Sequence, residues 1–357
     1  MSSELEQRLE GFFRELPEPE PGVGESAAAR AAAAIRPVAP AHRGLRAGAL
    51  ALAAAVVLLA IAAGSLAAAG ALHVHFGAQK KTSGATHTPR LPSGSDGIAV
   101  VEDGYLSVVT KSGFRLQGLP VNAAALSPHA LYVAAGVGHS LVAMAPNGKR
   151  AWSHPVGGPV VQIAWAPDGF RIAYIVRIGR RAVLHVIWGN GLHDTVIDHS
   201  VRAVRPSWRA DSLAVAYVGG GGAPGVYDLA HESRSLVAVH GPATGVAFAP
   251  AGDSLAVAQE SGIWLLHQSA ATHIPGHVEA FGWLGGQLAD VVPGLHAGLI
   301  RFYAPSGASR GSQPVRGIVV AVTPKLVVVE RNWQLIGGDT VLLTLTPETV
   351  PDVVEIR

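Results

Sequence analysis

The sequence predicts an all-β fold, a β-propeller of four-stranded blades, carried behind an N-terminal single transmembrane helix. Three observations predict it. One hairpin recurs along the chain from Leu126 onward. The recurrences are rich in β-branched and aromatic residues with period-two alternation, as half-buried strands require. Gly (43) and Pro (24) punctuate a chain that is 49% hydrophobic and only 15% charged, so turns are plentiful and core material is ample.

The chain opens with SELEQRLEGFFREL, in which Leu5, Leu9, Phe12, Phe13 and Leu16 fall on one face of a helix. Ser2 or Ser3 can cap this helix, early glutamates suit its positive end, and Pro17, Pro19 and Pro21 stop it. A helix this short is marginal alone in water, so its apolar stripe is expected to dock on a cytoplasmic protein, with self-association or a weakly ordered tail as alternatives. Residues 1–25 carry seven acids against two arginines, which disfavours anionic lipid as the target.

Residues 47–72 contain no charge in 26 positions. As a helix they would span about 39 Å, against about 30 Å of hydrocarbon. Six Leu, two Val and one Ile supply the drive for insertion. A cleaved signal peptide would have a shorter apolar core nearer the start, and a buried Ala-rich helix is the other alternative. With Arg36, Arg43 and Arg46 before the run, the positive-inside rule puts residues 1–46 in the cytoplasm and the rest outside. Residues 73–97, rich in Ser, Thr, Gly and Pro towards their end, read as a flexible stalk, and residues 98–357 as the extracytoplasmic propeller.

The hairpin is clearest in IAWAPDGFRIAY, residues 163–174, where Pro167-Asp168-Gly169 makes the turn. Aligned on the residue before the turn, its copies begin at Leu126, Trp165, Trp208, Phe248, Trp283 and Val322, with spacings of 39, 43, 40, 35 and 39 residues. That period is too long for one hairpin and fits a four-stranded blade packed between neighbours. The aromatic copies are expected to fill the space between blades. The segment Ile98–Leu119 supplies three strands, and the chain ends in VPDVVEIR, a fourth. Joining the two closes a ring of seven blades, favoured over six, and removes two open sheet edges.

WAPDGFRIAY and its copies resemble the WSPDG-type repeat of TolB-like propellers, which also occurs in the propeller domains of prolyl oligopeptidase-like peptidases. The resemblance covers roughly residues 98–357. It implies the fold and little of the function, because the matching residues are turn and core residues. TolB-like propellers have six blades, so a ring of seven departs from that pattern. The copies at Arg209-Ala210-Asp211-Ser212 and Pro250-Ala251-Gly252-Asp253 are degraded. No Gly-His…Trp-Asp pattern of the WD-repeat type is present.

Several chemistries are excluded or set aside. There is no cysteine, hence no disulfide, thiolate nucleophile or Cys-ligated metal. Residues 91–357 balance 18 basic against 18 acidic residues, so no nucleic-acid partner is expected. No G-x-S-x-G elbow accompanies the propeller. His273 and His277 have ligand-like spacing, but are expected in a loop as surface imidazoles, with no metal. Gly219–Gly222 is a connector and no phosphate loop; Lys149-Arg150 and Arg180-Arg181 are solvated turn charges. No catalytic residue and no cofactor is assigned.

These readings combine into a non-enzymatic, membrane-anchored sensing or binding module, single-pass in the cell membrane, with an unknown protein or small ligand at the propeller. A small cytoplasmic segment, one span and an external domain resemble membrane-bound bacterial regulators such as anti-sigma factors. The alternatives are an enzyme with a lyase- or glycosidase-like site in the propeller channel, and an envelope scaffold of TolB-like type.

Overall fold

The computed structural model describes Leu91 and residues 94–112, 115–268, 270–292, 298–325, 327–331, 334–337, 340–344 and 353–356. The expected tail helix, with Leu5, Leu9, Phe12, Phe13 and Leu16, and the span at residues 47–72 lie outside these residues. Among the described residues no helix is long and apolar enough to cross a membrane.

The described chain forms seven four-stranded antiparallel sheets, each with its strands in simple up-and-down order. They are numbered as blades 1 to 7 in chain order. The inner strands are Val353–Ile356 for blade 1, then Ala123–Leu126, Val160–Trp165, Ser207–Trp208, Ala243–Phe248, Ala280–Leu284 and Ile318–Val322. Each inner strand touches the inner strand of the next blade, and the seventh touches the first, so the ring is closed. All six aligned hairpin positions, from Leu126 to Val322, lie at the last or next-to-last residue of an inner strand.

Blade 1 is built from both ends of the described chain. Its inner strand pairs antiparallel with Gly97–Glu102 in the register Ile98↔Ile356, Ala99↔Glu355, Val100↔Val354 and Val101↔Val353. Leu91 packs against the same core and Ser95 is buried, so the last residues before this strand belong to the propeller surface.

Both faces of every blade must be covered, and the neighbouring blades cover them. Inner-strand residues therefore point alternately into the seam before and the seam after. In blade 3, Ile163 and Trp165 join the core shared with blade 2, whereas Ala164 joins the core shared with blade 4. One apolar cluster fills each of the seven seams. The central strands read as nearly continuous apolar runs for this reason, as Ala214–Val218 and Leu255–Gln259 do.

One placement differs from the sequence expectation. His273 lies within the outer strand Ala270–Pro275 of blade 5, its ring 4.8 Å from that of Trp264, and not in a loop. Pro275 had suggested a loop, but an outer edge strand tolerates a terminal proline because no ladder bond is required on its free side.

Candidate functional site: the central channel and its two rims

The inner strands turn one backbone edge towards the ring axis. They enclose a channel of about 690 Å³ to which all seven contribute residues, from Ala123 in blade 2 round to Ile356 in blade 1. Its lining is mostly small or apolar. The polar side chains are Gln162, Arg205, Ser207, Thr244, Glu279 and Thr323, one cation and one carboxylate among them, with no histidine among the described lining residues.

Up-and-down strands place different loops at the two ends of this channel. The turns leaving the inner strands lie on one face, here called the turn face, together with the turns entering the outer strands. The linkers between blades lie on the opposite, linker face, with the turns between second and third strands.

At the turn face the aromatic copies do what their positions suggest. Trp165, Trp208 and Trp283 are buried between blades. Their indoles also find acceptors. Trp208 Nε1 donates to Ala164 O at 2.9 Å and Trp283 Nε1 to Ala247 O at 3.0 Å, each on the inner strand of the preceding blade. Trp165 Nε1 instead donates to Gly169 O of its own turn at 2.9 Å. Phe248, half-buried, lines the channel mouth, and its backbone N–H donates to Ser207 Oγ at 2.8 Å. The Phe248 bond satisfies an inner-strand N–H that the blade's own ladder does not pair, and the indoles of Trp208 and Trp283 add second donors to carbonyls of paired strands.

The Pro167-Asp168-Gly169 turn is itself a tie between blades. Asp168 Oδ1 accepts from Phe170 N at 2.8 Å and Oδ2 from Arg171 at 3.1 Å, while Asp168 N donates to Ser212 Oγ at 2.9 Å. Burial pushes the Asp168 carboxyl above its ordinary value, against the pull of the Phe170 amide and Arg171. Gly169 takes a positive φ of 78°, which closes the turn at no steric cost.

Charged groups also bridge blades away from the channel. Asp194 lies 3.1 Å from His185 Nδ1 and 3.5 Å from His154 Nε2 of blade 2, with the buried Tyr174 ring stacked on His185 at 4.9 Å. Burial works to raise the Asp194 carboxyl, but the hydrogen bond from His185 and the two imidazoles outweigh it and hold the group below its ordinary value. Asp198 pairs with Arg234 of blade 4 at 2.9 Å. In blade 6, Asp290 is fully buried against Arg301, whose guanidinium also donates to Pro275 O of blade 5. Burial raises the Asp290 carboxyl despite that partner. No group of three His, Asp or Glu suited to a metal ion occurs among the described residues.

The sequence reading missed Gln162, Arg205, Thr244 and Glu279 as channel residues. Their shared signal is positional: each stands within the first residues of an inner strand or just before one. His277 lies in the linker before blade 6, and Gly219–Gly222 forms the turn between two strands of blade 4.

Fold and channel together define a seven-bladed β-propeller. No known protein family matches the chain, and no curated protein matches it. Among solved structures it is similar to TolB from Acinetobacter baumannii, 14% identical with a TM-score of 0.46, over 61% of this chain and 63% of that one. The chain thus spans less than two thirds of that protein. It is also similar to a putative TolB from Agrobacterium tumefaciens, 13% identical with a TM-score of 0.42, over 62% of this chain and 88% of that one. The ring of seven is read from this chain's own strand pairing and owes nothing to either likeness.

Proposed function

We propose that the chain is a membrane-anchored, extracytoplasmic binding module whose propeller takes a ligand or protein segment at the central channel. Residues 47–72 serve as the anchor, residues 1–46 face the cytoplasm, and the Leu5, Leu9, Phe12, Phe13 and Leu16 stripe docks a cytoplasmic partner. The observation that carries the binding reading is the channel: a concave, mostly apolar space of about 690 Å³ with a few polar groups, the usual make-up of a recognition site. A lyase or glycosidase mechanism needs two converging acid–base groups, and the described lining supplies Glu279 as its one carboxylate.

The binding reading is tested by photo-cross-linking in intact cells. A photoreactive residue at Thr244, which lines the channel, is compared with one at Ser312, exposed on the outer strand of blade 6. The reading expects adducts from position 244 that position 312 does not give. Equal capture from both, or none from 244, contradicts it. Orientation is tested separately: a reporter active only outside the cytoplasm, fused after Gly307, should be active. A stably expressed but inactive fusion overturns the topology.

A further inference from the structure

The linker face of blades 3 and 4 collects charge that the sequence disperses. Four segments meet there: residues 157–161, 176–182, 200–206 and 218–224. Between them they carry Arg177, Arg180, Arg181, Arg202 and Arg205 and no acidic residue. Blade 1 presents Glu102 and Asp103 at the same face, so the basic character is local to one side of the ring.

The packing shows how the segments are held together. Gly158 has Arg177 O only 2.0 Å from where a Cβ would stand, so only glycine lets the hairpin lie on the linker from blade 2. Arg177 N donates to Pro159 O at 2.9 Å across this contact. On the other side, Gly220 N donates to Ser200 O at 2.8 Å and Arg202 reaches Ala243 O at 3.2 Å, tying the linker between blades 3 and 4 to blades 4 and 5. Arg205 follows on the same linker and lines the channel.

The strands of blade 3 are among the longest in the ring, and its Arg171–Ile178 and Arg181–Trp188 hairpin overshoots the inner strand. Its tip is Arg177-Ile178-Gly179-Arg180-Arg181, all exposed. None of the three arginines takes part in an ion pair among the described residues. Ile178 is 47% exposed in their midst. Ile178 stands directly opposite Arg181 in the hairpin register, with Arg177 and Arg180 beside it in the tip, so an apolar side chain and unpaired guanidiniums are offered together.

We infer that this prong and the linker-face mouth of the channel together dock an acidic peptide segment of another protein, with carboxylates on the prong arginines and an apolar side chain on Ile178. This rests on the binding reading and adds the partner's chemistry to it. A peptide fits both halves of the surface. An anionic polysaccharide offers nothing to Ile178, and a lipid surface would call for more than one apolar side chain at the tip.

The test uses the full chain in nanodiscs of zwitterionic lipid and fluorescence anisotropy with a labelled peptide of alternating Glu-Glu-Leu repeats. The Lys-Lys-Leu counterpart, heparin and phosphatidylglycerol vesicles are run beside it. The acidic peptide should bind, the basic one should not, and binding should fall steeply as salt rises through the range where the Debye length shrinks below about 10 Å. Reversing Arg177, Arg180 and Arg181 together to Glu should weaken it about tenfold or more. Reversing Lys149 and Arg150 on the turn face, an exposed basic pair, should leave it within about threefold, since those charges lie away from the surface. Circular dichroism of both variants shows whether the fold is kept, and Arg180→Ala with Arg181→Ala is the milder substitute if the triple reversal does not fold. The inference is overturned by no peptide binding, by equal loss from both reversals, or by heparin or vesicles binding in an arginine-dependent way where the peptide does not. Cross-linking from Thr244 that persists while the reversals have no effect sinks this inference alone; peptide binding without any Thr244 adduct sinks the channel reading instead.

Discussion

The seam before blade 6 and the seam after it close in opposite ways, and each kind recurs elsewhere in the ring. Between blades 3 and 4, and between 5 and 6, a tryptophan fills the gap and its indole hydrogen-bonds the neighbouring inner strand. Between blades 6 and 7, and between 1 and 2, the gap is closed by omission. A Cβ on Gly282 would stand 2.8 Å from Val322 O, and one on Gly97 would stand 2.5 Å from Ala130 Cβ. The first kind of seam is held by a large side chain with a directed bond. The second depends on a glycine that leaves room for the neighbouring blade to approach, and one of its two instances flanks the blade assembled from both ends of the described chain. One hairpin position thus serves two packing solutions, and the ring can close although its repeats have diverged.

This contrast predicts a ranking of damage. The largest effect is expected from ending the chain before Val353, which removes the inner strand of blade 1 and bares the Gly97–Glu102 edge. The loss should be several kcal/mol, comparable to the whole net stability of about 5–15 kcal/mol usual for a domain. Thermal unfolding should show a collapsed or absent cooperative transition; an unchanged melting temperature would contradict the closure. Next comes Trp165→Ala. Trp165 is 2% exposed between blades 2 and 3, and truncating such an aromatic costs about 3–5 kcal/mol, readable by denaturant titration. A change under about 1 kcal/mol would mean that the aromatic seams are not the firm ones.

The omission seams answer to the reverse change. Gly282→Ala adds one methyl group against the backbone of Val322 and should cost about 1–3 kcal/mol, although alanine is the better strand former in an open site. Stability equal to the parent would show that the seam has slack. The smallest effect is expected from Trp208→Phe, which keeps most of the packing and deletes the bond to Ala164 O. Ala164 stands opposite Ala173 in the blade's own ladder, so its carbonyl keeps a backbone donor when the indole bond is lost, and the loss should stay near about 1 kcal/mol. A loss as large as that of Trp165→Ala would make the hydrogen bond, and not the packing, the organising element.

The strands and their period were legible in the sequence because a turn follows an apolar residue, aromatic at Trp165, Trp208, Phe248 and Trp283, at a fixed place in six of the blades, with Pro167-Asp168-Gly169 its clearest form. The closing strand was legible because VPDVVEIR lacked a partner hairpin and Ile98–Leu119 lacked a first strand. The channel was not. Inner-strand side chains alternate between two seams, so neither phase of the alternation marks the axis, and Gln162, Thr244 and Glu279 look like ordinary strand-end polar residues. The arginine prong was hidden for a related reason. Arg180-Arg181 alone reads as a turn charge, and its joining with Arg177, Arg202 and Arg205 depends on the up-and-down topology bringing a hairpin tip and a linker to one face. His273 was misplaced because Pro275 signals a loop locally, while its outer-strand position removes the penalty.

The ring of seven rests on the last described strand, Val353–Ile356, completing the first blade. The absence of cysteine makes a direct measurement clean. Two double variants are made, Ala99→Cys with Glu355→Cys and Val100→Cys with Val354→Cys, each a directly opposed pair in the register. Adjacent pairs in an antiparallel ladder alternate between close and wide spacing, so one of the two has geometry suited to a disulfide. Under mild oxidation at least one variant should form an intramolecular disulfide in the folded protein, seen as a mobility shift reversed by reductant, with its melting temperature raised. Free thiols persisting in both folded variants would contradict it.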